Sequence, residues 1–114
     1  MHLQGPARRL TIYTGEADML GKKPIATEIV QRARQAGLAG ATVLRGVEGF
    51  GASNQVHTTH ILSLSNDLPI VIVIVDTAER IDEFVNQLDD LLSAGLVVVE
   101  DVEVIRYVGD APKP

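Results

Sequence analysis

The run Ile70-Val71-Ile72-Val73-Ile74-Val75 constrains this chain more than any other segment. A strand buried on one face alternates apolar and polar residues, and this run does not alternate. Both of its faces therefore want burial. Leu96-Val97-Val98-Val99 has the same character. The apolar stretch that contains the first run, Leu68 to Val75, has eight residues and includes Pro69. That is far short of the roughly 18–20 residues needed to span a bilayer.

Around these runs the elements follow in order. A polar lead, His2 to Ala7, precedes Leu10-Thr11-Ile12-Tyr13, which alternates as a half-buried strand. A polar loop holding Gly15, Glu16, Asp18, Gly21, Lys22 and Lys23 leads to Pro24, which suits the first turn of a helix. Ile25, Ala26, Ile29, Val30 and Ala33 recur at helical spacing, and Gly37 fits the left-handed position just past the helix end. Ala41 to Val47 reads as a second strand, Glu48 to about Thr59 as a long loop, and Pro69 to Val75 as a third strand. Asp76 is expected to cap a second helix, with Glu79 completing a capping box. That helix buries Ile81, Phe84, Val85, Leu88, Leu91 and Leu92 and stops at Gly95. Leu96 to about Val108 is the last strand.

The order βαββαβ specifies an α+β fold, the ferredoxin-like sandwich, in which a four-stranded antiparallel sheet carries two helices on one face. With 114 residues, 46% of them hydrophobic, the chain is read as one domain over 1–114. Its core is expected over about 8–108, with a lead at 1–7 and a tail at 109–114. Two helices cover one sheet face only. The apolar strands therefore predict an obligate oligomer, in which a second subunit covers the other face.

Composition narrows the function. A net charge of −5 argues against a nucleic-acid binder, whose footprint is basic. The absence of cysteine excludes a disulfide scaffold, a thiolate metal site and thiol catalysis. Met1 to Arg9 contains no signal-peptide core, so a cytoplasmic protein without membrane insertion is expected.

Several residues are candidates for chemistry. Gly46, Gly49 and Gly51 cluster where the second strand meets the long loop. Glycines there let backbone amides approach a phosphate, or they mark a bend or β-bulge. Lys22 and Lys23, just ahead of a helix, suit an anion site or a solvated loop. His57 and His60, three apart on an extended segment, project to opposite faces and make a poor pair for one metal. Glu16 and Asp18 are paired carboxylates with no nucleophile beside them. Glu100, Asp101 and Glu103 read as a solvated edge or an intersubunit ladder, and Arg106 and Tyr107 as groups able to reach a neighbour's site. No catalytic constellation stands out, so the chain reads as a non-enzymatic binding or signalling module.

Thr42-Val43 and Val47-Glu48-Gly49-Phe50-Gly51, followed by a polar loop with His57-Thr58, resemble the second strand and loop base of PII signalling proteins. One extra residue lies between Val43 and Val47. The chain resembles more closely a PII-like family catalogued as a domain of unknown function. That likeness is carried by Tyr13-x-Gly15-Glu16-x-Asp18, Gly21-Lys22-x-Pro24, Gly37-Leu38-Ala39-Gly40-Ala41-Thr42-Val43 and Arg45-Gly46 through Gly51. Leu68-Pro69-Ile70-Val71, Val75-Asp76 and Gly95-Leu96-Val97 extend it, so that it spans about residues 10–108.

The resemblance implies a homotrimer with ligand sites in clefts between subunits. It implies a small anionic ligand, above all an adenine nucleotide (ATP, ADP, AMP or a cyclic nucleotide), at Gly49, Phe50 and Gly51. Lys22, Lys23, Asn54, His57 and Arg106 complete the expected ligand-binding set. The loop 48–60 would pass occupancy to a regulated protein, with a membrane transporter as one partner class. Two departures shape these expectations. The junction Ser93-Ala94-Gly95-Leu96 is too short for the second phosphate loop of PII proteins, so Lys22 and Lys23 are expected to substitute. No tyrosine lies between Glu48 and Leu68, which argues against uridylylation-type control. The alternative is a trimeric metal-tolerance-type protein that holds a divalent cation through His57, His60, Glu16 and Asp18. A third reading, an enzyme with an isolated carboxylate base, names no substrate.

Overall fold

The longest strand, β1 (His2–Gly15), is the spine of the sheet. It is followed by a ribbon of two-residue strands, β2 (Met19–Leu20) and β3 (Lys23–Pro24), and by helix α1 (Ile25–Gln35). The edge strand β4 (Thr42–Arg45), the central strand β5 (Pro69–Asp76), helix α2 (Ala78–Gln87) and β6 (Leu96–Val108) complete the chain. This computed structural model describes residues 2–51, 68–92 and 95–109. The main sheet is antiparallel, in the order β4-β5-β1-β6. That is the ferredoxin-like arrangement the element order specifies. No helix among the described residues is long and apolar enough to cross a membrane.

Register divides the sheet into two faces. Leu10 stands opposite Ile74 and Ile12 opposite Ile72, and all four are buried beneath the helices. α1 adds Ile25, Ile29 and Ala33 to that layer, and α2 adds Ile81 and Phe84, with Leu88 and Leu91 just beyond its end. Fully burying each large apolar side chain contributes roughly 1.5–3 kcal/mol. The other face pairs Thr11 with Val73, Tyr13 with Val71, and Tyr13 with Leu96 across β1. Val71, Val73 and Val75 are only half-buried there. Tyr13 is 41% exposed, Leu44 53% and Leu96 55%. Among the described residues this apolar face has no covering layer.

Four boundaries differ from the sequence expectation, each for a local reason. The segment 1–7, expected as a polar lead, is strand from His2 onward, because β6 is long enough to pair with it. Leu3 and Ala7 are buried opposite Tyr107 and Val102. The register shifts between Leu3 and Gly5, where β6 carries one extra residue, and Pro6 follows opposite Glu103 where β1 has lost its β5 neighbour, a place that tolerates proline. β4 stops at Arg45 and not at Val47, since the Gly46 N–H turns inward to donate to the Pro69 carbonyl at 2.7 Å.

The cap of α2 is Thr77, whose side chain accepts from the Arg80 N–H at 3.3 Å; Asp76 and Glu79 form no capping box. Asp76 is fully buried instead. Its carboxylate accepts from the Thr77 N–H at 2.7 Å and the Ala39 N–H at 2.9 Å. Finally, α2 ends at Gln87 and tight turns follow, rather than helix up to Gly95. Gly95 itself lies at φ +142°, and a Cβ there would stand 2.7 Å from the Tyr13 carbonyl oxygen.

Charged side chains tie the layers together. The Arg80 guanidinium donates to the carbonyls of Ala36 and Gly37, satisfying groups that the end of α1 leaves open. Arg8 bridges Asp101 on β6 and Asp82 on α2, and the hydrogen bonds that it donates to these carboxylates, Asp82 first, hold its guanidinium above its ordinary pKa. Arg9 pairs with Glu100 at 2.8 Å on the opposite face, so two of the three acidic residues of β6 are engaged within the chain.

Asp76→Ala would leave the Ala39 N–H without its partner. We expect it to lower the unfolding free energy by about 2–3 kcal/mol in denaturant titration, the range for a buried hydrogen bond to a charged group. An unchanged midpoint and slope would show that the carboxylate does not hold the α1–β4 connection.

Candidate functional site

The two ends of β5 carry the residues of interest. At the Pro69 end, the glycine turn lies flat on the proline ring. A Cβ on Gly46 would stand 3.0 Å from Pro69 Cγ and 3.3 Å from the Pro69 carbonyl oxygen. A Cβ on Gly49 would stand 3.1 Å from the same Cγ, and Gly49 has φ +150°, where side chains are rarely accommodated. These glycines therefore serve close backbone approach. Gly51 faces open space. The turn holds Val47 and Phe50 outward, 95% and 82% exposed.

Glu16, one residue past β1, touches both sides of this turn's base. Its N–H donates to the Leu68 carbonyl at 2.8 Å, and its carboxylate accepts from the Arg45 guanidinium. Asp18 has a local task. Its carboxylate accepts from the Gly15 N–H at 2.8 Å, and its carbonyl accepts from the Ile25 N–H at 3.0 Å. The two carboxylates are thus engaged separately. Among the described residues, no three acidic or histidine side chains gather as a metal cluster. Asn54, His57 and His60 lie outside the described residues.

The two lysines part company. The Lys23 ammonium folds onto α1, donating to Gln31 at 2.6 Å and to Glu28 at 3.3 Å. Hydrogen bonds from Arg32, and then from Lys23, hold the Glu28 carboxyl below its ordinary range. Lys22, in the β2–β3 turn, is exposed and has no hydrogen bond or ion pair among the described residues.

Arg106 belongs to the opposite end of β5. It lines a groove of about 430 Å³ with Leu3, Ala39, Gly40, Ala41, Thr42, Val73, Val75, Val104 and Tyr107. The Tyr107 hydroxyl donates to the Ala39 carbonyl at 2.7 Å, and Asp76 holds the Ala39 N–H, so this wall is pinned from two sides. Arg106 lies on β6 beside Leu3 and Gly5, whereas Gly15 faces Pro69, so at about 3.3 Å per residue along β1 it stands about 30 Å from the glycine turn. Within one chain, Arg106 and Gly49–Gly51 therefore cannot share one small ligand. A larger groove of about 620 Å³ lies between the helix C-termini. Its cation, Arg32, is already committed to Glu28, Asp90 and the Gln87 carbonyl.

Sequence reasoning singled out the glycines, Lys22, Lys23 and Arg106. It passed over Arg45, Pro69 and Asp76 as site-forming residues. The small residues at 46 and 49 were the available signal for Pro69.

Residues 7–104 match the model of a protein family, DUF190, described as uncharacterized ACR. A UPF0166 protein of Aquifex aeolicus is 35% identical over 96 residues, covering 84% of this chain and 90% of that protein. The UPF0166 protein MJ1524 of Methanocaldococcus jannaschii is 31% identical over 101 residues, covering 88% and 93%. Among solved structures, CPII from Thiomonas intermedia bound to ADP, AMP and acetate aligns with TM-score 0.63 and 20% identity, over 90% of this chain and 91% of that one. CPII bound to ADP and bicarbonate aligns with TM-score 0.57 and 25% identity, over 87% and 88%. A protein of Thermus thermophilus described as PII-like aligns with TM-score 0.62 and 16% identity, over 89% and 91%.

The glycine turn yields a contrast in stability. Gly49→Ala forces a side chain into a disfavoured backbone region against Pro69, and should cost about 1–2 kcal/mol in thermal or denaturant unfolding. Gly51→Ala should stay within about 0.5 kcal/mol of wild type. Equal costs would mean that contact with Pro69 does not shape the turn.

Proposed function

The chain belongs to the DUF190 family, and on that footing we propose that it is a non-enzymatic PII-like signalling protein of the cytoplasm. One domain over 1–114 forms a homotrimer and binds an adenine nucleotide, such as ADP or AMP, in clefts between subunits. The observation that carries this reading is the fold shared over 90% of the chain with CPII, whose structure holds ADP and AMP. Two features of this chain support it. Gly46 and Gly49 let the turn pack on Pro69, and Gly51 leaves its backbone open to solvent, as close approach of a phosphate requires. The turn and Arg106 are too far apart in one chain to share a ligand, so a shared site needs two copies. The uncovered apolar face, with Val71 and Val73 at its centre, gives copies a reason to associate.

In this reading Gly49, Phe50 and Gly51 line the cleft, with Lys22, Arg106 and the loop residues Asn54 and His57 as further contacts. Lys23 would first have to leave Gln31 and Glu28. The loop 48–60 engages a regulated protein, with a membrane transporter as one partner class. Such control requires only that the nucleotide bind two loop states with different affinity. The outward Phe50 and Val47 suit contact with a protein.

Calorimetric titration with ATP, ADP, AMP and cyclic nucleotides should give saturable binding near one site per chain. Arg106→Ala should weaken that binding about tenfold, the loss of one charge-assisted hydrogen bond. No heat from any nucleotide on folded protein would overturn the nucleotide reading. Light scattering should return three copies of the 12.3 kDa chain, and Val73→Glu on the open face should lower the mass. A wild-type monomer would overturn the trimer.

A further inference from the structure

We infer that Arg45 is an oxyanion-binding residue whose place is filled, in the ligand-free protein, by the carboxylate of Glu16. Arg45 is the last residue of β4 and Glu16 lies just past β1, and in the sheet β5 runs between those two strands. The ion pair therefore straddles the beginning of β5, beside the turn that Gly46 and Gly49 press onto Pro69. Arg45 directly precedes Gly46, so its guanidinium belongs to the base of that turn.

The pair is built for exchange. The Arg45 side chain is 63% exposed and the Glu16 side chain 30% exposed, so neither charge is locked in a core. Exposed ion pairs contribute little net stability, and losing one leaves the fold intact. A guanidinium presents the same two-pronged donor to a carboxylate and to a phosphate. A terminal phosphate carries more charge than a carboxylate, and it replaces Glu16 wherever it comes within reach. The backbone stays put during the exchange, since Glu16 remains tied to Leu68 through its own N–H. Glu16 thus sets how tightly an oxyanion is held without being needed to shape the turn. Lys23 does not fill this role, being committed to Gln31 and Glu28. The inference rests on the nucleotide reading for the identity of the ligand, and on the Glu16–Arg45 pair alone for the anion site.

The test titrates ADP and inorganic pyrophosphate into wild type, Glu16→Gln, Arg45→Gln and the double variant. Melting curves confirm that each variant is folded, and Arg45→Lys serves as a charge-preserving control. Removing the internal competitor should tighten ADP binding about fivefold in Glu16→Gln. Arg45→Gln should weaken it about tenfold, with Arg45→Lys between the two and the double variant no tighter than Arg45→Gln. Equal weakening by Glu16→Gln and Arg45→Gln would show that the pair merely supports the turn, and would overturn the inference. Unchanged ADP binding in all variants would overturn it while the nucleotide reading stands. Failure of wild type to bind ADP would overturn the nucleotide reading, and pyrophosphate would then decide the anion site. Pyrophosphate binding to Glu16→Gln that is lost on adding Arg45→Gln upholds it; no such binding overturns it.

Discussion

A central strand that is apolar on both faces must be covered on both, and the molecule is arranged around that demand. On one side β5 presents Ile70, Ile72 and Ile74, and the chain answers from within. α1 brings Ile29 over them and α2 brings Phe84, and little of that layer meets water. On the other side Val71, Val73 and Val75 find, among the described residues, their sheet neighbours alone. Both helices lie on the first side, and no element among the described residues closes this one. Among the described residues, burial of apolar surface on that side is left incomplete, and such a face is of the kind that marks interaction surfaces.

With both faces of β5 given to apolar contact, polar business is confined to its ends. At the Asp76 end a buried carboxylate receives two backbone N–H groups, one from the α1–β4 connection and one from the start of α2. Arg80 closes the exposed carbonyls of α1 from the first turn of α2. These bonds join the two βαβ halves where their hydrophobic layers do not reach. At the Pro69 end, the glycine turn and the Glu16–Arg45 pair occupy the corresponding place.

The elements with strong periodicity were legible in the sequence. α1, β5 and β6 stand within about a residue of their expected limits, because helical spacing, an unbroken apolar run and flanking glycines all point the same way. The errors arose where tertiary partners outrank local preference. Gly5 and Pro6 look like a loop until β6 is there to pair with, and Asp76 looks like a cap until Ala39 comes within reach. The site was legible to the same degree. Clustered glycines announced a close backbone approach but not that Pro69 is the neighbour. Arg45 and Glu16, 29 positions apart, show no pattern that links them. Lys23 passed for an anion contact because its engagement with Gln31, two helical turns on, is a fact of packing.

The pairing of His2 with Val108 brings the two ends of the sheet to one corner of the molecule. β1 then runs about 40 Å to the opposite corner, where Gly15 faces Pro69 and the glycine turn begins. This span accounts for most of the 52 Å long axis. His2 and Val108 therefore stand at the far pole from Gly46–Gly51, so the strand ends and the glycine turn face different surroundings. A label on the exposed strand end near Val108 would therefore leave the glycine turn unobstructed, about the length of β1 away.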